Sequence, residues 1–228
     1  MTMTYSEELD DSKYCELYLF RHGQSESNTL HVMDGQTLNA SLTEYGKEEL
    51  RVVAENFKNI HFDAVFSSDL NRALQTAEIL KAHRELAIKA TAMLREKHYG
   101  IYEGKSYDEY KEVVKHVFPE LKEGFKIFWT KEKFNYRPHD SVETYSEAGT
   151  RYITELREIA LGYVGKRVMV VGHGSGLRSF IVKALGENFE NTPSQGFRNG
   201  EHCIVLSDGV EFIFKSFPEG RDYPVDYK

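Results

Sequence analysis

The amino-acid sequence predicts an α/β fold, a three-layer α/β/α sandwich in which helices cover both faces of a mostly parallel sheet. Short apolar runs typical of buried strands alternate with segments whose apolar residues recur at helical spacing, and this alternation is typical of parallel sheets. Near the C-terminus, Asp208-Gly209 separates apolar runs at 203–207 and 210–214, which predicts an antiparallel hairpin at one sheet edge. A length of 228 residues suits one sizeable core, so we expect residues 1–228 to form a single domain.

The individual elements follow from the spacing of apolar residues. Strands are predicted at 17–20, 64–66, around residue 88, 168–171, 203–207 and 210–214. Helices are predicted where apolar residues stand three and four positions apart, at 50–57, 70–80, 110–117, 143–163 and 177–185.

Several helix ends carry capping residues. Ser41 and Glu44 have the spacing of a capping box, as do Ser106 and Glu109, and such a pair satisfies two backbone N–H groups at a helix start. Gly186 stands where a helix C-cap is expected. Four arginines are expected on solvated helix faces, namely Arg51, Arg84, Arg151 and Arg157.

The composition is that of an ordinary globular protein, with 40% hydrophobic and 29% charged residues. A net charge of −7 gives no electrostatic reason to expect binding to nucleic acid or to an anionic membrane. The first thirteen residues hold no apolar stretch of the kind found in signal peptides and membrane spans, and two cysteines are too few for a disulfide framework. We therefore expect a cytoplasmic protein with reduced thiols.

Two histidines stand in matching positions, each directly after a predicted strand. Arg21-His22 follows the first apolar run, and His173-Gly174 follows the fourth. The carboxyl ends of parallel strands meet at one edge of an open α/β sheet, where ligands bind. Two imidazoles, one of them beside a permanent cation, therefore converge on one crevice, and this arrangement suits a small-molecule phosphate ester.

Phosphoryl transfer needs a nucleophile, cations around the equatorial oxygens and an acid for the leaving oxygen. His22 can attack phosphorus only when it is neutral, and guanidinium groups such as Arg21 and Arg72 favour that state. Those groups also match the geometry of phosphoryl oxygens. Free backbone N–H groups at the helix start near Gly174 favour an anion as well. The acid that the sequence places best is Glu96.

Four ordered pieces of the chain resemble the histidine phosphatase superfamily, the group that contains the cofactor-dependent phosphoglycerate mutases. They are Arg-His-Gly-Gln-Ser-Glu-Ser-Asn at 21–28, Ser-Ser-Asp-Leu-Asn-Arg-Ala at 67–73, the segment 94–104 and Gly-His-Gly at 172–174. The similarity runs from about residue 15 to about residue 216. It implies a phosphoglycerate mutase-like domain with the three-layer fold.

The resemblance also implies the roles of the catalytic side chains. His22 is expected to become phosphorylated, while Arg21, Arg72 and His173 hold the transferred phosphoryl group. Glu96 is expected to donate a proton to the leaving group and then to activate water.

The same resemblance implies which residues contact the substrate. Asn28 is expected to position the phosphate or the nucleophile, and Tyr99 is either part of the core or a wall of the substrate site. The residues predicted to bind substrate are Arg21, Asn28, Gly35, Arg72, Tyr99 and Gly174.

Residues 97–137 interrupt the alternation and are expected to form a helical insertion over the site. The segment holds nine Lys or Arg against seven Asp or Glu, so it is basic within an acidic chain. Two interpretations stay open, a lid that selects anionic substrates and a segment whose aromatic residues pack on the sheet. Those aromatic residues are Phe118, Phe125, Phe128, Trp129, Phe134 and Tyr136.

Two other classes of site fit part of the pattern. His22, His173 and Glu96 amount to a His₂Glu zinc set, but no His-x-His or His-Glu-x-x-His spacing occurs, and Arg21 and Arg72 would place fixed positive charge beside the metal. A binding domain for phosphorylated ligands needs neither a nucleophile nor an acid. We therefore expect no metal and no other cofactor.

Three details favour a phosphatase over a mutase of the same superfamily. Residues 97–137 contain no adjacent arginine pair, which the mutases use to grip a phosphoglycerate. Asp34 stands where the mutases place a small hydroxyl residue before Gly35, and its carboxylate should repel an acidic substrate. Ser175 occupies the position after glycine where the mutases carry asparagine.

The sequence thus predicts a metal-independent phosphomonoesterase of the histidine acid phosphatase type. It would act through a phosphohistidine on a small anionic phosphate ester. A cofactor-dependent phosphoglycerate mutase is the alternative. Neither the identity of the ester nor the oligomeric state follows from the sequence.

Overall fold

The sheet of the protein contains the strands that the sequence predicts. In a computed structural model that describes residues 10–118, 130–187 and 196–218, they are β1 (Cys15–Arg21), β2 (Ala64–Ser68), β3 (Ile88–Thr91), β4 (Arg167–Gly172), β5 (His202–Ser207) and β6 (Phe212–Ser216). The spatial order is β3-β2-β4-β1-β5-β6. The first four of these strands in space run parallel, and β5 and β6 form the predicted antiparallel hairpin.

Helices connect the parallel strands, and further helices lie within the insertion at 97–137. Those of the described ranges are α1 (Glu26–Thr29), α2 (Glu44–Asn56), α3 (Asn71–Lys81), α4 (Tyr107–Val117), α5 (Lys131–Asn135), α6 (Tyr145–Gly162) and α7 (Gly174–Ala184). Between β3 and α4 the chain makes two short 3₁₀ turns, Ala92–Leu94 and Gly100–Tyr102.

The central strand β1 is buried on both faces because its side chains alternate between two cores. Leu17 and Leu19 belong to one core, whereas Tyr18 and Phe20 belong to the other. Helices α6 and α7 cover the first face, and α2 and α3 cover the second. Their contributions are Tyr152, Leu156, Leu177 and Phe180 on one side and Leu50, Ala54, Ala73 and Ala77 on the other. The three-layer α/β/α prediction is therefore confirmed.

The capping predictions have mixed outcomes. Ser106 and Glu109 form the expected capping box at the start of α4. The box predicted at Ser41 is wrong, because α2 begins at Glu44 and Thr43 caps it by accepting a hydrogen bond of 2.9 Å from the backbone N–H of Gly46. The carbonyl of Ser41 instead accepts a hydrogen bond from the N–H of Glu26. This bond and the bridge between Ser25 and Leu42 hold the chain extended against the loop after β1.

Two further boundaries differ from the prediction by a few residues. Strand β6 begins two residues late because the Asp208 carboxylate accepts hydrogen bonds from the N–H groups of Val210 and Glu211 and so lengthens the turn. Helix α7 ends at Ala184, and Gly186 follows with a φ of +68°, as expected for a glycine that terminates a helix.

The described parts of the insertion at 97–137 border a cavity and also contribute a buried aromatic residue that packs on helices. Helix α4 borders the cavity discussed below. Phe134 of α5 is fully buried and packs with Val182 of α7 and Tyr145 of α6. Phe125, Phe128 and Trp129 lie outside the described residues. None of the helices in the described ranges has the length and apolarity needed to cross a membrane.

Tyr152 of α6 packs between two glycines that flank the second histidine. A Cβ atom built on Gly176 would lie 2.4 Å from the Tyr152 ring, and one built on Gly172 would lie 2.7 Å from the Tyr152 hydroxyl. Both distances are below van der Waals contact. Gly172 and Gly176 are therefore required for this close approach of helix α6 to the end of β4.

We predict that Gly176→Ala destabilises the protein by about 1–3 kcal/mol, because the added methyl group overpacks a rigid ring. Gly162→Ala is the matched control, since its Cβ would meet nothing within 4 Å; it should be neutral or stabilising by up to about 1 kcal/mol. Urea unfolding of both variants measures the difference. An unchanged unfolding midpoint for Gly176→Ala would show that α6 can move away.

Candidate active site

The two histidines meet at the carboxyl ends of neighbouring strands. Strand β1 pairs with β4 so that Arg21 lies opposite Gly172, and the residue that follows each is a histidine. The ring centroids of His22 and His173 are 5.1 Å apart, and their exposed fractions are 3% and 0%. His22 lines a cavity of about 610 Å³, whereas His173 is not among the residues that line it.

Hydrogen bonding fixes the tautomer of His22. Its Nδ1 lies 2.7 Å from the carbonyl oxygen of Gly23, and because a carbonyl can only accept, Nδ1 carries the proton. The lone pair is then on Nε2. Burial and the charges of Arg72 and Arg21 hold the pKa of His22 well below its ordinary range. The imidazole is therefore neutral at pH 7, which is the state in which it can act as a nucleophile.

The loop that carries His22 is held from two sides. The side-chain amide of Asn199 donates to the carbonyls of His22 and Gly23 and to Oδ1 of Asn28. The N–H of Gly23 donates to Thr76 Oγ1. Asn28 thus supports the loop that carries His22 and also lines the cavity.

Arg21 presents a guanidinium group to the cavity. Its Nη1 donates to the carbonyl of Phe197, and its buried Nε has no hydrogen-bond partner among the residues described. A Cβ built on Gly174 would lie 3.1 Å from Arg21 Nε. The glycine after His173 therefore leaves room for the guanidinium group, in addition to offering its own backbone to the cavity wall.

Arg72 is fixed by the segment before α2. The guanidinium group, 1% exposed, donates through Nη2 to the carbonyls of Asp34 and Gly35 at 3.0 and 2.9 Å. Its Nη1 lies 3.1 Å from Asp34 Oδ2. Gly35 is not on the cavity wall; it lies behind Arg72, where a Cβ would come within 2.4 Å of Glu103 Oε1. Its part in the site is to orient the arginine.

Asp34 is a buried carboxylate on the cavity wall. Neither of its oxygens accepts a well-aligned hydrogen bond from the described parts of the chain, although Arg72 forms an ion pair with it. Arg72 therefore partly offsets the repulsion that the Asp34 carboxylate is expected to exert on an acidic substrate.

His173 forms the N-cap of α7. Its backbone N–H donates to the hydroxyl of Tyr152, which donates in turn to the carbonyl of Leu94. Both ring nitrogens are buried and have no hydrogen-bond partner among the described residues. Burial, followed by the charges of Arg72 and the neighbouring His22 and Arg21, keeps the pKa of His173 well below its ordinary range.

Glu96 occupies the start of α7. Its Oε2 accepts from the N–H of Ser175 at 3.0 Å, and its Oε1 accepts from Gly176 and Lys97 at 2.9 and 2.7 Å. The prediction that this helix start offers free N–H groups to a ligand is therefore wrong for Ser175 and Gly176, because a carboxylate from the same protein already binds them. Glu96 is 8% exposed and lines the cavity.

Arg151 holds the segment that carries Glu96. It donates to the carbonyls of Met93, Arg95 and Glu96 and forms an ion pair of 2.9 Å with Glu143. The expectation of a solvated helix-face arginine is wrong here, since the neighbouring segment has exposed carbonyls that need donors.

Tyr99 contributes to both the core and the cavity wall. It is 6% exposed, and its hydroxyl is 2.7 Å from Ser175 Oγ. Its backbone N–H donates to Glu103, whose carboxylate also accepts from the N–H groups of Gln36 and Thr37. Burial favours a raised pKa for Glu103, but these hydrogen bonds prevail and lower it. Glu103 is thus a structural carboxylate behind the cavity wall.

The same residues do not form a cluster of metal ligands. No group of three or more His, Cys, Asp or Glu arranged to hold a metal ion occurs within residues 10–118, 130–187 and 196–218. Arg21 and Arg72 place positive charge beside both imidazoles.

Comparison with known proteins gives a consistent family. Residues 17–219 match the histidine phosphatase superfamily, branch 1. The mouse protein "Fructose-2,6-bisphosphatase TIGAR" is 30% identical over 175 residues, which are 74% of this chain and 61% of the mouse protein. "Phosphoglycerate mutase-like protein 4" of Arabidopsis thaliana is 29% identical over 177 residues, which are 77% of this chain and 73% of the plant protein.

A solved structure confirms the fold. The phosphoglycerate mutase from Bacillus anthracis str. Sterne superposes with a TM-score of 0.77 at 26% identity, and the match covers 90% of this chain and 93% of that one. The chain is therefore similar both to proteins named as phosphatases and to proteins named as mutases.

We predict that Asp34→Asn strengthens the binding of inorganic phosphate roughly tenfold, because it removes a buried negative charge next to the arginines. The variant keeps the carbonyls of Asp34 and Gly35 that orient Arg72. Asp108→Asn is the matched control, since Asp108 also lines the cavity but is exposed, so solvent screens its charge. Calorimetric titration gives the dissociation constants. Weaker phosphate binding in Asp34→Asn would mean that the carboxylate chiefly positions Arg72.

Proposed function

The chain belongs to the histidine phosphatase superfamily, and from this we propose that it is a phosphomonoester hydrolase that works through a phosphohistidine on His22. One observation carries the proposal. The imidazole of His22 is buried, neutral and held in one tautomer beside the guanidinium groups of Arg21 and Arg72. This is the arrangement that attack on a phosphate dianion needs.

In the first step, the Nε2 lone pair of His22 attacks phosphorus, and the bond between phosphorus and the ester oxygen breaks. Arg21 and Arg72 stabilise the charge on the equatorial oxygens through donors that are already in place. His173 is neutral and therefore has one N–H to donate, so it can bind a phosphoryl oxygen without adding a second proton to the site.

The alkoxide that leaves needs a proton, and we assign that proton to Glu96. The three backbone hydrogen bonds to its carboxylate fix its position on the cavity wall. In the second step the same carboxylate takes a proton from water, whose oxygen attacks the phosphohistidine, and inorganic phosphate leaves. Asp34 is the other buried carboxylate on the cavity wall, whereas Glu103 is occupied behind it.

We further propose that the reaction needs no metal ion and is of the histidine acid phosphatase type. Two guanidinium groups already supply the positive charge that a metal would bring to the phosphoryl oxygens. A bound dication would also stand next to both of these fixed charges.

The second candidate function is that of a cofactor-dependent phosphoglycerate mutase. The sequence Glu96-Lys97-His98-Tyr99-Gly100 resembles the mutases, and the structural relative from Bacillus anthracis carries that name. The hydrolase is favoured because residues 97–137 contain no adjacent arginine pair and because the Asp34 carboxylate stands on the cavity wall.

We predict a covalent phosphohistidine on His22. Brief incubation with a ³²P-labelled ester in the presence of a chelator, followed by a quench, should leave label that survives alkali and is lost in acid. His22→Ala should abolish the label, and His31→Ala, an exposed histidine on the cavity rim, should keep it. Label that persists in His22→Ala would refute the mechanism, and label that requires a metal would refute the metal-independent reaction.

We predict that Glu96→Gln slows turnover of an alkyl phosphate by roughly 10²–10⁴-fold, the usual contribution of a positioned acid. Phosphoenzyme formation from p-nitrophenyl phosphate should fall far less, because nitrophenolate leaves without a proton. Stopped-flow measurement should therefore show a burst of nitrophenol. An equal loss in the first step for both esters would transfer the role of acid to Asp34, with Asp34→Asn as the next variant.

We predict slow or absent isomerisation of 3-phosphoglycerate in the presence of a trace of 2,3-bisphosphoglycerate. NMR analysis of the products, with inorganic phosphate measured in parallel, separates the two activities. Rapid formation of 2-phosphoglycerate without release of phosphate would establish the mutase instead.

A further inference from the structure

Besides Arg21 and Arg72, the wall of the cavity contains five tyrosines. Tyr99, Tyr107, Tyr110, Tyr136 and Tyr145 all line it. Tyr99 comes from the segment after Glu96, Tyr107 and Tyr110 from α4, Tyr136 from the end of α5 and Tyr145 from the start of α6. We call the part of the cavity that these five rings line the tyrosine chamber.

A buried lysine holds three of these rings in place. Lys97 is 1% exposed, and its Nζ lies 4.2 Å from the ring centroid of Tyr99, 4.9 Å from that of Tyr145 and 5.7 Å from that of Tyr110. Tyr99 and Tyr110 also pack edge to face at 5.3 Å. Cation–π contacts of this kind are strongest when the cation is desolvated, so the rings form a fixed wall.

The chamber wall is uncharged where these rings form it. Burial raises the pKa of the Tyr99, Tyr110 and Tyr145 hydroxyls, which therefore stay protonated at neutral pH. At the rim, Leu30 is 71% exposed and Tyr107 is 39% exposed, and both belong to the cavity wall. Leu30 and Tyr107 thus add apolar surface at the mouth of the cavity.

The volume also exceeds what a small ester needs. Cavities of about 300–1,000 Å³ typically enclose drug-sized ligands, and this one measures about 610 Å³. A three-carbon phosphate would leave the chamber largely unfilled.

On the basis of the proposed function, we propose that the substrates are phosphate monoesters of alcohols that carry an aromatic ring, and that this ring packs in the tyrosine chamber. Aromatic rings favour offset-stacked and edge-to-face packing against one another, and a wall of tyrosines offers both ring faces and ring edges. The cavity wall also includes three cationic residues, Lys111, Lys133 and Arg178. Because these cations would attract a carboxylate, the affinity for an aromatic ligand has to be compared with that for a carboxylate-bearing one.

The test uses phosphonates, whose carbon–phosphorus bond the enzyme cannot hydrolyse, so that binding is measured apart from turnover. Calorimetry on the full-length protein would compare propylphosphonate, 3-phenylpropylphosphonate and 3-carboxypropylphosphonate. We expect the phenyl compound to bind at least about tenfold more tightly than the other two, as the packing of one buried ring allows. Equal affinities, or tightest binding of the carboxylate compound, would overturn the proposal.

A pair of variants assigns the preference to the chamber. Tyr107→Ala should reduce the affinity ratio of the phenyl to the propyl compound several-fold. Tyr45→Ala, which removes an exposed tyrosine of α2 outside the cavity, should leave the ratio unchanged. An undiminished ratio in Tyr107→Ala and in Tyr110→Ala would place the ring elsewhere and overturn the assignment.

Phosphate release from 2-phenylethyl phosphate and propyl phosphate, measured in parallel, separates this inference from the proposed function. A binding preference without any phosphate release would support the chamber and refute the hydrolase. Release of phosphate at equal kcat/KM from both esters, without a binding preference, would support the hydrolase and refute the chamber.

Discussion

The parallel pairing of β1 with β4 is the constraint on which the rest of the site depends. It sets Arg21 opposite Gly172, so that both chain segments leave the sheet at the same level and both imidazoles arrive at one point. A slip of one residue in this register would turn the side chains of β1 to the opposite faces of the sheet. Leu17 and Leu19 would then exchange cores with Tyr18 and Phe20. The packing of two cores therefore secures a geometry that the histidines themselves do nothing to enforce.

The groups that meet at that point lower the stability of the protein when no ligand is bound. Two guanidinium groups lie beside two buried imidazoles, and several of their polar atoms have no partner within the described chain. Buried polar groups without partners lower stability, and like charges in a desolvated site repel one another. A doubly charged oxyanion relieves both conditions. The site is thus arranged for an anion before the anion arrives, which is the form of preorganisation that lowers the barrier of phosphoryl transfer.

The sequence predicts those parts of the fold and the site that depend on local pattern. A few neighbouring residues are enough to recognise an apolar run, most of the caps, and the Arg-His-Gly and Gly-His-Gly segments. Contacts between distant segments do not. Asn199 donates hydrogen bonds to the loop that carries His22 although it lies 177 residues away in the chain. No sequence pattern predicts this contact.

The same limit explains the errors at Arg151 and at the start of α7. Helical spacing places Arg151 on an outer face but cannot show that the carbonyls of Met93, Arg95 and Glu96 approach it. The N–H groups of Ser175 and Gly176 are free in the isolated helix and become occupied only because Glu96 folds onto them. The tautomer of His22 likewise depends on one backbone carbonyl.

Tyr152 contacts both the segment that carries His173 and the segment that carries Glu96. Its hydroxyl accepts from the backbone of His173 and donates to Leu94, two residues before Glu96, while its ring fills the space between Gly172 and Gly176. Helix α6 therefore helps to set the spacing between His173 and the segment that carries Glu96. The tyrosine chamber is supplied mainly by other segments. In the proposed hydrolase, changes in α4 and α5 can therefore alter which esters fit, while a single ring in α6 keeps His173 and Glu96 at a constant separation.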